Sequence, residues 1–365
     1  MKIVYITDQF YKHGGIEKIL SQKLNYLVKD KCNEVILITI NQNQKPFVYQ
    51  LNKNVKHYDL SIEYHFNASY YHPVNWIKLI THFFKLRKLF QKINPDVAVS
   101  VQFFPDQYFL PFLQVKKTIK EIHFMGDAIN SGLNKLDFFL FRKIIPSYSH
   151  LILLNKDELK FYPGFNNIKV IPNFIERSKE NNQDELIREK VIISAGRLAP
   201  VKQFNHLIIA FSKIAYKYPD WTLEIYGDEN GVSIHELKSL IKNSNLDKQI
   251  FIFSATPCIR KIMLRSSIFA LTSKTECFPM VLLEAQQAGL AVVSYDCKYG
   301  PKNIVNHLSD GLLALDQNID DFVLKLELLI NDEELRSKLR KNAKENAKRF
   351  EEDDIMKKWI SLFIS

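Results

Sequence analysis

Cysteine is scarce in this chain, and the little there is shows no pattern. The four cysteines, Cys32, Cys258, Cys277 and Cys297, form no C-x-x-C pair and no metal-ligand spacing. That excludes a disulfide scaffold or a zinc module and fits free thiols in a reducing compartment. Long apolar runs are missing too: stretches such as 138–141 fall far short of the roughly 18 residues of a membrane span. The first residues show no secretory h-region or small-residue cleavage site, so a cytoplasmic location is expected. The absence of G-x-G-x-x-G gives no support to a nicotinamide or flavin cofactor, and no repeat with a period of 20 to 50 residues is visible. There is no D-x-D metal motif; the acidic run Glu351, Glu352, Asp353 and Asp354 reads as the first turn of a helix. No metal or cofactor is therefore expected.

What the chain does have is length, and a charge that is unevenly placed. Its 365 residues, 46% hydrophobic and 25% charged, suit a soluble globular protein of two domains of roughly 150 to 180 residues. Residues 1–182 hold 25 Lys and Arg against 15 Asp and Glu, whereas residues 183–365 hold 25 of each, so the whole net charge of +10 lies in the first half. Such asymmetry points to an anionic surface or substrate. Nucleic acid is the obvious rival partner, but no zinc spacing, RNP-like segment or recognition helix accompanies the charge.

Strand-like runs alternate with amphipathic stretches along the whole chain, which predicts an α/β protein with parallel sheets and crossover helices. Strands are predicted over 2–7, 34–40, 55–60, 96–101, 118–124, 150–155 and 169–172. The helix over 16–29 carries Ile16, Ile19, Leu20, Leu24, Leu27 and Val28 on one face. The polar stretch 177–188 is the best linker. A second series of strands follows over 191–195, 222–226, 249–253, 268–272 and 291–295, and the chain ends in helix.

Four segments carry candidate chemistry. Glu276 and Glu284 stand eight residues apart across a predicted helix start, with Cys277, Phe278, Pro279, Met280 and Val281 between them and Gly289 just past the helix end. The free amides of such a start favour an anion, although acids there also suit the helix dipole with no function at all. Arg197 and Lys202 follow the 191–195 strand, a planar fork and a point charge suited to a diphosphate; alone they would be a weak signal, since cations at loop ends are mostly solvated. Gly14 and Gly15 precede the first helix, where glycine permits close backbone approach to a phosphate or simply makes a tight turn. His123 ends a strand, the favoured edge for ligands in open α/β sheets, with Asp127 just beyond.

Together these segments resemble the retaining glycosyltransferases of family four. The resemblance rests on the E-x7-E element from Glu276 to Glu284 with Gly289, on the G-R-L-x-x-x-K loop Gly196-Arg197-Leu198 to Lys202, and on the G-G-x-E loop Gly14-Gly15-Ile16-Glu17. It implies the GT-B fold, two Rossmann-like domains with parallel sheets facing a cleft. The acceptor domain would be 1–178, with 351–365 crossing back onto it, and the donor domain 183–349. By the same resemblance the reaction is transfer of a hexosyl or N-acetylhexosaminyl group from a UDP-linked sugar to a saccharide or lipid-linked acceptor. Arg197 and Lys202 would hold the leaving diphosphate, Glu276 the sugar hydroxyls and Glu284 the ribose. The amides of Phe278 to Val281 would hold diphosphate and sugar, His123 the sugar, the Gly14-Gly15 loop the sugar phosphate, and Asp127 the acceptor. Cys277 stands where the family usually has glycine and would be a small residue near the donor rather than a nucleophile. The segment Gly227-Asp228-Glu229-Asn230 also departs from the family's glycine-rich form. Two rivals stay open: an epimerase or sugar-phosphate synthase on the same scaffold, and a non-catalytic nucleotide-sugar-binding subunit.

A helix over 78–93 places Leu79, Phe83, Leu86, Phe90 and Ile93 on one side and carries Lys78, Lys85, Arg87, Lys88 and Lys92 without an acid. It reads either as an ordinary crossover helix or as a contact with an anionic membrane surface at the inner face of the cell membrane. The Phe-rich stretch 135–148, with Arg142 and Lys143, is a second candidate for that surface.

Overall fold

The computed structural model describes residues 1–65, 69–127, 129, 134–177 and 188–365. Of the expected linker 177–188, residues 178 to 187 lie outside the described residues. The chain divides into two compact units: unit 1 is Met1–Phe174 with Asp353–Ser365, and unit 2 is Ile175–Glu352. Each is a parallel-sheet, Rossmann-like α/β unit.

In unit 1 the strands are β1 (Lys2–Thr7), β2 (Glu34–Thr39), β3 (Lys56–Asp59), β4 (Val97–Ser100), β5 (Lys117–Glu121), β6 (His150–Leu153) and β7 (Ile168–Val170). They pair in the order β3-β2-β1-β4-β5-β6-β7, every pair parallel. Helices cover both faces of such a sheet, so its strands are apolar without alternation; Ile3 to Ile6 and Val35 to Ile38 are all fully buried. The helices are α1 (Gly15–Leu27), α2 (Pro73–Ile93), the single turn α3 (Asp106–Phe109) and α4 (Lys135–Ile144). The strand order reverses between β1 and β4, which opens a crevice at the carboxyl ends of those strands.

Helix α2 begins five residues before the expected start. His72 caps it, its ring accepting from the Val74 amide at 3.4 Å, Pro73 occupies the first turn, and Asn94 closes it in the left-handed region at φ 50°. Its Leu86, Phe90 and Ile93 belong to the unit 1 core. The apolar side read from the sequence is thus the inward one; periodicity shows a helix's apolar sides without saying which of them packs.

Unit 2 contains β8 (Val191–Ala195), β9 (Thr222–Tyr226), β10 (Ile250–Phe253), β11 (Ile268–Leu271), β12 (Thr275–Glu276), β13 (Ala291–Tyr295), β14 (Lys298–Tyr299) and β15 (Leu312–Ala314). Six of them form a parallel sheet in the order β10-β9-β8-β11-β13-β15, and β12 pairs with β14 apart from it. The helices are α5 (Phe204–Ser212), α6 (Ile234–Asn243), α7 (Ile259–Arg265), α8 (Met280–Gln287), α9 (Ile319–Asn331) and α10 (Glu333–Ala347). Here the order reverses between β8 and β11. The last helix, α11 (Glu352–Ile364), lies almost wholly in unit 1, where Lys117 Nζ donates to the Leu362 carbonyl at 2.9 Å. No helix among the described residues is long and apolar enough to cross a membrane.

Candidate active site

The reversal in unit 2 brings two carboxyl-end loops side by side, one after β8 and one after β11. They are stitched by the backbone bond from the Lys274 amide to the Val201 carbonyl, 2.8 Å, and by Thr272 Oγ1 donating to the Gln203 carbonyl, 3.0 Å. Across the seam Lys202 Nζ meets Glu276 Oε1 at 2.6 Å, with side chains 17% and 12% exposed. Ser273 Oγ donates to the same carboxylate oxygen at 2.6 Å. Arg197, in the first of these loops, is exposed. Two residues expected to hold different parts of a ligand, Lys202 and Glu276, are therefore in contact with each other. A cation and a carboxylate at this separation in a half-buried edge form a polar cradle whose charges are fixed before a ligand arrives.

The backbone changes character between the two glutamates. Glu276 lies on the two-residue strand β12, not on a helix, because its backbone is drawn to Lys298–Tyr299; only Glu284 is helical. Helix α8 starts at Met280, so Pro279 precedes its first turn. The Phe278 side chain is buried and packs edge-on against Phe350, with centroids 5.6 Å apart, so only its backbone is available to a ligand. Cys277, Met280, Val281 and Glu284 are half-buried.

The strand pairing also exposes a residue that the sequence pattern did not single out. A Cβ on Gly300 would lie 2.6 Å from Glu276 Cβ, 2.7 Å from its carbonyl oxygen and 2.9 Å from Pro279 Cδ. Two of those three atoms belong to backbone or a proline ring and cannot swing away. Gly300→Ala is expected to destabilise the protein by about 1–3 kcal/mol through overpacking, read by chemical denaturation; an unchanged midpoint would show that β12 yields freely. Cys297, one residue before β14, is buried, and burial followed by the Glu276 carboxylate pushes its thiol up, so it stays protonated and unreactive.

In unit 1, α1 begins at Gly15 with Gly14 extended before it. The buried Glu17 turns back beneath this loop and accepts from Gln9 Nε2 at 2.7 Å, while Gln9 Oε1 accepts the Tyr11 and Lys12 amides, both at 2.8 Å. A Cβ on Gly14 would stand 2.1 Å from Glu17 Oε2. Gln9 and Glu17 thus shape the loop, while Gly15 is exposed, with open space where a Cβ would stand.

Strand β5 stops at Glu121, so His123 lies in the loop beyond it, and its ring is not displayed on the open edge. The side chain is 4% exposed and its Nε2 stands 3.0 Å from Glu121 Oε1. Glu121 in turn pairs with Lys23 of α1, both side chains 1% exposed, and Trp359 of α11 covers the Lys23 ammonium at 4.1 Å from the ring centroid. Burial pushes the Glu121 carboxyl up, but the Lys23 and His123 charges and hydrogen bonds outweigh it and hold it at about 2. The loop is anchored further along, where the Gly126 amide donates to the buried Glu158 at 2.6 Å; Asp127 is exposed. Among the described residues no group of three or more His, Cys, Asp or Glu is placed to hold a metal ion.

Residues 176–346, most of unit 2, match the family model described as "Glycosyl transferases group 1". Over nearly its full length the chain is similar to an uncharacterized glycosyltransferase of Haemophilus influenzae, 28% identical and covering 98% of each chain. It is also similar to a Campylobacter jejuni enzyme named GalNAc-alpha-(1->4)-GalNAc-alpha-(1->3)-diNAcBac-PP-undecaprenol alpha-1,4-N-acetyl-D-galactosaminyltransferase, 26% identical over 99% of this chain and 98% of the other. In fold it is similar to TarM of S. aureus, solved with fondaparinux, alpha-GlcNAc-glycerol and UDP. That match has a TM-score of 0.77 over the whole of both chains at 17% identity, a likeness that shows the GT-B type of fold alone. The family match on unit 2 and the full-length relatives together support a glycosyltransferase family for this chain.

Proposed function

We propose that the protein is a retaining glycosyltransferase that moves a hexosyl or N-acetylhexosaminyl group from a UDP-linked sugar to a saccharide or lipid-linked acceptor in cell-surface glycan synthesis. The observation that carries this reading is the Lys202–Glu276 pair at the reversal point of unit 2, with Arg197 in the same loop. As the bond between the anomeric carbon and the diphosphate oxygen breaks, negative charge grows on the leaving group. Arg197 and Lys202 are the cations assigned to it, so the step draws on no metal. The acceptor hydroxyl attacks from the same face and gives its proton to the departing phosphate oxygen, which keeps the anomeric configuration. Glu276, held by Ser273 and Lys202, orients sugar hydroxyls, and Glu284 takes the ribose.

Within this reading 183–349 binds the donor and 1–178 the acceptor; His123, Gly14 and Gly15 serve the sugar and its phosphate, and Asp127 the acceptor. The Campylobacter relative's lipid-linked substrate and the UDP in the TarM structure support the acceptor and donor classes. Work at the inner face of a membrane, with the protein held peripherally from the cytoplasm, follows from such an acceptor.

A panel of tagged nucleotide sugars tests the reading by binding and slow hydrolysis. One UDP-sugar is expected to bind and hydrolyse, and Arg197→Ala to lose both. A correctly folded protein that binds none would sink the proposal, and an epimerised product formed without any acceptor would replace it with the rival enzyme class.

A further inference from the structure

Helix α2 is apolar on the side that should be polar. Beyond the core-facing Leu86, Phe90 and Ile93, its outward side chains Trp76, Ile77, Ile80 and Phe84 are 57%, 79%, 57% and 58% exposed. A surface helix ordinarily turns charge to the solvent here, and a contiguous apolar ridge marks a contact surface. On α4, Leu136 and Phe139 are exposed as well. The two helix starts are tied by Tyr71 OH donating to Asp137 Oδ1 at 2.9 Å.

The charge beside the ridge has one sign. From Pro73 to Ile93 there are five cations and no acid. Two of them are committed within the unit: the Lys78 ammonium bonds the Glu63 carbonyl, and Lys85 Nζ bonds the Leu60 carbonyl at 2.7 Å. Arg87, Lys88 and Lys92 are exposed, one to four turns further along the helix than the apolar ridge.

We propose that this ridge docks on an anionic lipid bilayer. Trp76, Ile77, Ile80 and Phe84 enter the boundary between headgroups and acyl chains, and Arg87, Lys88 and Lys92 face lipid phosphates. A second copy of the chain is a poorer occupant, because a symmetric contact through α2 would set five cations against five with no acid on either helix. The inference rests on the reading above for its purpose. Helices α2 and α4 follow β3 and β5, so both begin at the carboxyl edge of the sheet, which carries Gly14, Gly15 and Asp127, and docking sets that edge toward a lipid-linked acceptor.

The protein carries its own probe. Of its three tryptophans, Trp221 and Trp359 are 3% and 0% exposed, which leaves Trp76 as the one a bilayer would reach. The full chain is mixed, without any acceptor, with vesicles of phosphatidylcholine alone or of equal parts phosphatidylcholine and phosphatidylglycerol at low salt. Co-sedimentation and a blue shift of the emission are expected with the anionic vesicles, the shift being absent in Trp76→Phe. The triple variant I77D/I80D/F84D, all at exposed positions, is expected to lower partitioning at least about tenfold. The variant R87E/K88E/K92E is expected to abolish the preference for anionic lipid. Absence of vesicle binding, or full binding by the ridge variant, overturns the proposal. So does a wild-type dimer in sedimentation velocity that the ridge variant disperses, which would name a second copy as the occupant. Docking without any transferase activity would remove the functional reading alone, and transfer to a soluble acceptor by a chain that ignores vesicles would remove the docking alone.

Discussion

Lys202→Ala is expected to lower turnover by about 10²- to 10³-fold, which corresponds to about 3–4 kcal/mol of lost transition-state stabilisation. A lysine that meets charge developing on a leaving diphosphate contributes more in the transition state than in the bound ground state, so kcat falls while the Michaelis constant moves less. Glu276→Gln is expected to act differently. It keeps the shape and Ser273's hydrogen bond but weakens the hold on the sugar and on Lys202, so the loss is shared between binding and turnover.

The Lys202–Glu276 contact also braces two loops, and bracing alone would explain its presence. The double variant K202M/E276Q separates the two roles. If the pair is only a brace, removing both charges at similar volume restores stability and activity together. If Lys202 acts on the leaving group, the double variant regains stability and stays as inactive as Lys202→Ala. Initial rates with the accepted donor and a denaturation curve for each of the four proteins decide between these outcomes, and a double variant that regains turnover would end the catalytic role of Lys202.

The parts of this molecule legible in its sequence are those set by local pattern. The run over 34–40 is β-branched and apolar on both faces, and it forms β2 beside β1 in a sheet covered on both sides. Contacts that depend on strand order were not legible. Nothing local to Lys202 or Glu276 says that β11 lies beside β8, and that adjacency alone places the two side chains 2.6 Å apart. The pairing of β12 with β14 is likewise a tertiary product, made possible by the absence of a side chain at Gly300. Other signals do stand in the local sequence. His72-Pro73 is a cap followed by a first-turn proline, and it marks the true start of α2. Lys23 sits inside the apolar stripe of α1 between Leu20 and Leu24, a position where a cation must find a buried partner. That partner, Glu121, carries the sequence-predicted His123 inward with it.

Breaking the Lys23–Glu121 pair is expected to cost about 3–5 kcal/mol by denaturation at neutral pH, because either single change strands a fully buried charge. Glu121→Gln leaves the Lys23 ammonium with a neutral amide oxygen and the face of Trp359 but no opposite charge; Lys23→Met leaves the Glu121 carboxylate with only His123. The double variant K23M/E121Q removes both ions at similar volume and is expected to recover most of the loss. The pH dependence has a definite sign. Glu121 titrates at about 2 in the folded protein against 4.5 for an ordinary glutamate, so below about pH 4.5 the unfolded chain binds the extra proton. The pair's contribution, about 3 kcal/mol, is therefore present above that pH and is lost as pH falls toward 2. The wild type is expected to lose stability across this window more steeply than the double variant; parallel acid limbs would show that Glu121 is not held ionised by its neighbours. Activity then tests the third member. The double variant keeps the fold but leaves the His123 ring without its carboxylate, and if that ring serves the transferred sugar its orientation depends on Glu121. A stable K23M/E121Q protein with reduced turnover would make Lys23 and Glu121 positioning residues, whereas full turnover would make the triad a structural device of unit 1 alone.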